Sequence, residues 1–136
     1  MGKVYRHKPA APDEYLGRID PGTGKVYRHR HGLDEYLGQV ELDSGKVYHH
    51  RHGPDEYLGR VHLHNGKIYR HRHGPDQYVA RVKPNSRIYR HRPAAPDEYL
   101  GDVEGMSSLV EGGAAFFLLL SPAVEQVEET ENKEGN

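Results

Sequence analysis

The chain has 136 residues, of which 35% are hydrophobic and 29% are charged, and 19 Lys and Arg residues stand against 20 Asp and Glu residues. The formal net charge of −1 gives no overall field that would attract nucleic acid or an anionic membrane surface. Because Cys is absent, disulfides, thiolate zinc sites and cysteine nucleophiles are excluded, and a bound metal would need His, carboxylate or backbone oxygen ligands.

The first residues, MGKVYRHK, contain no apolar stretch of the kind found in a secretory signal. We therefore expect a cytoplasmic protein without a membrane partner. All 11 His residues precede residue 105, so their protonation below about pH 6 would make this part of the chain strongly cationic.

Five related units follow one another between residue 2 and about residue 105. All ten Tyr residues fall at two positions of the unit, and the first position recurs every 20 to 22 residues. The unit boundaries lie at about 2–23, 24–44, 45–65, 66–85 and 86–105. Regular recurrence of this kind defines a repeat protein, and a Tyr that recurs with the unit is primarily architectural.

Each unit is predicted to be a β-hairpin. Its first arm is β-branched and aromatic, and its second arm alternates with period two, which places Tyr36, Gly38 and Val40 on one face. Gly-containing turns such as Asn65-Gly66 connect the units. A three-residue loop with a bulge would bring Val61 opposite Tyr69, whereas a two-residue turn would shift that register by one residue.

The predicted fold class is therefore all-β, a meander of five hairpins that wraps or closes into a barrel-like structure. The first and last units share the longer spacing HKPAAPDEY and HRPAAPDEY. Atypical end units are expected of caps on an open stack, and two ends that match each other also suit a ring in which they become neighbours. Closure would also remove the exposed strand edges of an open sheet.

After residue 105 the repeat stops, and 112–120 forms the one continuous apolar run in the sequence. Its apolar core is far shorter than the roughly twenty residues that span a bilayer. We predict that the segment 106–121 is a strand or short helix docked on the core, completing a single domain over 1–121. The acidic stretch 122–136 is predicted to be a disordered tail.

The arm Tyr57-Leu58-Gly59-Arg60-Val61, followed by a turn and Gly66-Lys67, resembles MORN repeats, although the His-Gly-x-Gly ending typical of those units is missing. The wider pattern, Gly-x-Val-Tyr through Tyr-x-Gly-x-Val with a small-residue and Leu-rich C-terminal segment, is similar to a group of uncharacterised prokaryotic β-hairpin repeat proteins. These resemblances imply the hairpin architecture and no particular activity.

Each of the three central units contains two His residues that are separated by one residue. These pairs are candidate ligands of a divalent metal ion. Imidazole pairs on one face of a strand suit Zn or Ni, and the Asp that follows each pair could add a carboxylate. The alternative is that these residues are soluble groups near a loop. The candidate ligands are His29, His31, His50, His52, His71 and His73.

Two other kinds of chemistry are less well supported. The Arg-His-Arg tracts 28–30, 70–72 and 90–92 lie close to Tyr residues and could bind phosphates or nucleic acid, but acidic residues follow each tract and disfavour nucleic acid. Adjacent Asp-Glu pairs point to opposite faces of a strand and do not form a catalytic dyad. We therefore expect no enzyme and no catalytic or cofactor-binding residues.

The sequence favours a non-enzymatic structural or interaction repeat protein whose partner is another protein or a second copy of itself. The alternative is a His-based protein that binds divalent metal, and the third possibility is a weak anion or nucleic-acid binder.

Overall fold

A computed structural model describes residues 1–123, which form a closed antiparallel barrel of ten strands. Each strand pairs with its neighbours in sequence, and the last strand pairs with the first. The strands are β1 (Gly2–Arg6), β2 (Glu14–Ile19), β3 (Lys25–Arg28), β4 (Glu35–Val40), β5 (Lys46–His49), β6 (Glu56–Val61), β7 (Lys67–Arg70), β8 (Gln77–Val82), β9 (Arg87–Arg90) and β10 (Glu98–Glu104). The predicted five-hairpin meander is confirmed, and it is closed.

The seam of the barrel lies between the first and fifth hairpins. Val4 pairs with Val103 and Tyr5 with Asp102, in continuous antiparallel register. The backbone N–H of His7 extends the ladder by donating to the carbonyl of Leu100 at 2.8 Å. The two matching end units are therefore neighbours, as the ring alternative predicts.

The connections between hairpins differ from the predicted three-residue loops. His62 donates its N–H to the carbonyl of Lys67 at 2.8 Å, and four residues lie between them. Gly66, the last of these, has φ 73°, a conformation that Gly adopts without a steric penalty. Val61 is therefore opposite Ile68. The three-residue loop that would bring Val61 opposite Tyr69 does not form, and neither does a two-residue Asn65-Gly66 turn.

A β-bulge interrupts the second strand of every hairpin. In the third hairpin Tyr48 is opposite Tyr57 and Val47 is opposite Gly59, so Leu58 is an extra residue without a partner. The bulge reverses the alternation of side chains between Tyr57 and Gly59. The prediction that Tyr, Gly and Val share one face is therefore wrong: Val and Gly face the core, and Tyr faces outwards.

One β-branched side chain from each strand points into the barrel. These ten residues pair across neighbouring hairpins, and none of them is more than 1% exposed. Branched side chains of this kind fill the inside of small barrels well. They are Val4, Ile19, Val26, Val40, Val47, Val61, Ile68, Val82, Ile88 and Val103.

The C-terminal segment is helical and occupies the inside of the barrel. Helix α1 (Val110–Ala115) continues directly into a π-helical segment, Phe116–Leu120, and every residue of both is buried. Helix α1 contacts β2, β4, β6, β8 and β10, and only a position inside the closed barrel allows contact with all five. The predicted docking of this segment on the core is confirmed, with the helix as the form that it takes.

The helix begins close to the barrel seam. Glu111 is 1% exposed, and its Oε2 accepts N–H groups from Ser107 at 2.6 Å and Ser108 at 3.1 Å. A carboxylate that satisfies free N–H groups before a helix stabilises the start of that helix. Gly2 leaves room for this side chain, since a Cβ there would lie 2.5 Å from Glu111 Oε1.

The predicted tail, 122–136, lies outside the described residues from 124 onwards. Within residues 1–123, no helix is long and apolar enough to cross a membrane.

Replacing Gly112 with Ala is expected to lower the free energy of unfolding by about 1–3 kcal/mol, the usual cost of forcing an extra carbon into a packed core. A Cβ at residue 112 would lie 2.4 Å from Val82 Cβ, inside the barrel wall. Ala gains about 0.5–1 kcal/mol over Gly in a helix interior, and the strain outweighs this gain because the added Cβ meets a branch-point carbon and not the end of a flexible side chain.

Urea unfolding followed by circular dichroism measures the difference. Gly22→Ala is the matched control, because the nearest atom to its added Cβ is an Asp20 side-chain oxygen at 3.5 Å. A Gly112→Ala variant as stable as this control would contradict the position of α1 inside the barrel.

Candidate functional site

The outer wall of the barrel presents five pairs of stacked tyrosines. In each hairpin the first Tyr of the unit lies directly opposite the second, with ring centroids between 5.4 and 5.6 Å apart and the rings tilted. Tilted aromatic pairs at this distance stabilise a sheet beyond their buried area. The pairs are Tyr5–Tyr15, Tyr27–Tyr36, Tyr48–Tyr57, Tyr69–Tyr78 and Tyr89–Tyr99.

A histidine of the neighbouring hairpin contacts the second Tyr of each pair. The ring centroids lie 4.4 to 5.1 Å apart, and the fifth contact crosses the seam. Ten Tyr and five His rings thus encircle the barrel, and we call this set the aromatic belt. The Tyr–His contacts are Tyr15–His29, Tyr36–His50, Tyr57–His71, Tyr78–His91 and Tyr99–His7.

The bulge holds each belt histidine in place. The N–H of His50 donates to the carbonyl of Leu37 at 2.8 Å, and Leu37 is the bulged residue of the preceding hairpin. The same bond forms for the other four belt histidines, at 2.8 or 2.9 Å. The residue that turns Tyr outwards therefore also fixes the backbone of the His that stacks on it.

Each belt histidine also faces the Asp of its own loop. Nδ1 of His50 lies 3.3 Å from Oδ1 of Asp55, and the corresponding distances in the other hairpins are 3.3 to 3.6 Å. The Asp carboxylate can pair with the imidazolium form and orient the ring. The remaining pairs are His7–Asp13, His29–Asp34, His71–Asp76 and His91–Asp97.

The second Tyr of each hairpin is partly desolvated by its neighbours. Burial raises the pKa of Tyr36, and the negative charge of Asp55 in the next hairpin raises this pKa further. Burial is likewise the main cause of a raised pKa at the corresponding positions, Tyr15, Tyr57, Tyr78 and Tyr99. These phenols remain neutral donors over the whole physiological range.

Cationic side chains lie over several belt rings. The guanidinium carbon of Arg18 is 4.2 Å from the ring centre of Tyr27, and Lys83 Nζ is 4.6 Å from that of Tyr89. Arg18 also donates from Nε to Asp34 Oδ2 at 3.1 Å, and this hydrogen bond lowers the pKa of Asp34. The belt is therefore an aromatic surface with cationic groups over several of its rings.

Only the first histidine of each proposed metal pair contacts the aromatic belt. All six side chains are exposed and lie just outside the strands, with His29, His50 and His71 in ring contact with a Tyr, and with His31, His52 and His73 further into the loops. Within residues 1–123, no group of three or more His, Asp or Glu residues is placed to hold a metal ion. Metal binding by these six residues stays a prediction.

Sequence reasoning missed two members of the belt, His7 and His91. They lie in the two end units, where Pro9 and Pro93 stand at the position of the second His, and so they form no pair in the sequence. Their position in the repeat could have identified them, because all five belt histidines follow the first Tyr of their unit by two residues.

No protein-family model, curated protein or solved structure matches the chain.

The fold is expected to lose stability in alkali because of the five tyrosines whose pKa values are raised, the second Tyr of each hairpin. The unfolded chain releases phenol protons near pH 10, whereas the folded chain retains them to higher pH, since their pKa values are raised. Below about pH 10 this contribution is complete, and it is lost as the pH rises through the folded pKa values.

Urea unfolding between about pH 8 and pH 11 measures this loss, and the absorbance of tyrosinate in the folded protein measures the raised pKa values directly. Tyr36→Phe removes one of the five groups and should make the alkaline loss smaller. An equally steep loss in that variant would show that other groups control the alkaline transition.

Zinc is expected to bind weakly and without a fixed stoichiometry, because structural zinc sites use four protein ligands. Isothermal titration calorimetry with zinc, on the wild-type protein and on a double variant with His50→Gln and His52→Gln, tests this expectation. A saturable site of high affinity that disappears in the variant would contradict it and would support the metal-binding hypothesis.

Proposed function

We propose that the protein is a non-enzymatic interaction module that binds a partner protein, or further copies of itself, through the aromatic belt. The observation that supports this proposal is the recurrence of the same Tyr–Tyr–His contact set in all five hairpins around the barrel. The ten half-buried Tyr rings and five His rings of these sets present both apolar faces and polar edges.

The composition of the belt is typical of binding surfaces. Tyr and Arg are enriched where proteins meet, because Tyr offers a large contact area with little loss of side-chain freedom. The tilted Tyr and His rings of the belt are already held by their neighbours, so a partner would bind to a preorganised surface. Arg18 over Tyr27 adds a cation that can pair with an acidic group of the partner.

The repeat suggests more than one binding position. The five Tyr–Tyr–His units have the same geometry and face different directions around the barrel. A partner with several similar segments would gain avidity by occupying neighbouring units at once. Catalysis usually depends on a single constellation, and the fivefold repetition of this one favours binding over catalysis.

A protein partner also fits the charge pattern better than nucleic acid does. Each Arg- or His-rich tract is followed by an acidic residue that lies within 4.0 Å of one of its members, as His50 and Asp55 illustrate. Such pairs cancel much of the positive field that phosphate backbones require.

Peptides selected from a displayed random library on the wild-type protein provide a direct test. Tyr36→Ser and Tyr57→Ser are each expected to weaken peptide binding by about tenfold, because buried Tyr residues commonly contribute above 1 kcal/mol at an interface. Leu63→Ser is the matched control: Leu63 is 42% exposed and lies in a turn outside the belt.

Sedimentation equilibrium of the same four proteins tests binding to a second copy. The proposal is overturned if neither peptides nor a second copy bind. It is also overturned if Leu63→Ser weakens binding as much as the two belt variants do.

A further inference from the structure

Every hairpin repeats a second pattern, which lies beside its loop and outside the belt. A basic residue ends the first strand, and a second basic residue follows two residues later; in four of the five hairpins an acidic residue begins the second strand opposite the first basic residue. In hairpin order the triplets are Arg6, Lys8 and Glu14; Arg28, Arg30 and Glu35; His49, Arg51 and Glu56; Arg70, Arg72 and Gln77; and Arg90, Arg92 and Glu98.

In four hairpins the Glu carboxylate lies between the two cations. In the second hairpin Glu35 Oε1 is 2.8 Å from Arg30 Nη2 and 3.9 Å from Arg28 Nη1. The hydrogen bond from Arg30 is the main reason that the pKa of Glu35 is lowered. The carboxylate thus stays ionised and neutralises part of the paired positive charge.

The first, third and fifth hairpins have the same arrangement. Their Glu oxygens lie between 2.5 and 4.0 Å from both basic side chains of the triplet, of which His49 in the third hairpin is charged only when it is protonated. In four of the five hairpins, a Glu carboxylate beside the loop therefore contacts two basic side chains.

The fourth hairpin is the exception, because Gln77 occupies the position of Glu. Gln77 carries no charge, and neither Arg70 nor Arg72 forms an ion pair within residues 1–123. Arg72 donates from Nε to the carbonyl of Pro75 at 3.1 Å. The guanidinium carbon of Arg70 lies 5.5 Å from the ring centre of Phe117.

We propose that the fourth hairpin binds a phosphate group between Arg70 and Arg72, in the place that a Glu carboxylate takes in the other four hairpins. Both guanidinium groups retain free donors, and Arg recognises phosphate through paired hydrogen bonds. The Gln77 side-chain amide can donate a further hydrogen bond to a phosphate oxygen, which a Glu cannot do.

The other charged and titratable residues of the fourth hairpin loop are compatible with an anion between Arg70 and Arg72. Asp76 is the one carboxylate of this loop, and its Oδ1 lies 3.5 Å from Nδ1 of His71. His73 is exposed in the same loop and adds positive charge when it is protonated.

Nuclear magnetic resonance of the full chain, titrated with inorganic phosphate at constant ionic strength, tests the proposal. The Nε–H resonances of Arg70 and Arg72 should shift and saturate together, while those of the other four triplets should shift little. A phosphoserine peptide titrated in the same way distinguishes the source of the phosphate, since it should bind more tightly than inorganic phosphate only if the ligand is a phosphoprotein.

Two matched variants use the other hairpins as internal controls. Gln77→Glu restores the usual triplet and should weaken phosphate binding by about tenfold or more, because it places a carboxylate where the anion binds. Glu35→Gln should create a second site at Arg28 and Arg30, whose cations are identical to those of the fourth hairpin. Both residue types already occur at this position of the repeat, so both variants should fold.

Three results would overturn the proposal. The first is the absence of saturable shifts at Arg70 and Arg72 in the wild-type protein, and the second is phosphate binding by the Gln77→Glu variant that is as tight as that of the wild type. Equal shifts in all five triplets would show general screening by salt instead of a site.

Discussion

The single extra residue in the second strand of each hairpin is the constraint on which the rest of the structure depends. Without the bulge at Leu58, the period of two would place Tyr57 and Val61 on the same face. With it, Val61 enters the core and Tyr57 pairs with Tyr48 on the outside. The bulge carbonyl also accepts the N–H of His71, so the same residue orders the belt.

The barrel wall in turn determines what can fill the barrel. Ten Val and Ile side chains project inwards, and the C-terminal helix must fit among them. Gly112 and Gly113 lie against Val82 and Val61, where a Cβ would come within 2.4 and 2.7 Å of those side chains. Small residues therefore occupy 112–115, and the larger Phe116, Phe117 and three Leu residues follow where all of them are buried.

Matching end units left an open stack and a closed ring as alternatives, whereas the repeat length, the hairpins and the burial of the C-terminal segment could be predicted from the sequence. These features follow from recurrence and from the amount of apolar surface, which a sequence shows directly. The register and the face of Tyr36 could not be predicted, because they depend on where one extra residue is inserted. A Gly on a strand indicates either a bulge or a close approach, and here Gly38 shows both: a Cβ there would lie 2.1 Å from the carbonyl oxygen of Tyr48.

The candidate site was only partly visible in the sequence for a related reason. Adjacent His pairs drew attention to His31, His52 and His73, yet the position shared by all five units is the preceding His. Its contact with Tyr spans two hairpins, so the two residues are about 14 positions apart, as with Tyr36 and His50. Contacts between units become visible only when the register of neighbouring hairpins is known.

Departures from the repeat are the places where one unit can differ in function from the others. The second strand of the fourth hairpin has three of them, since Gln77, Val79 and Ala80 replace Glu, Leu and Gly. Ala80 is fully buried opposite Ile68, so its replacement affects packing. Gln77 is exposed and removes a charge that all other hairpins retain, and no packing requirement of the barrel explains it. Positions shared by the five units maintain the fold and the belt, whereas an exposed exception such as Gln77 is free to serve a ligand.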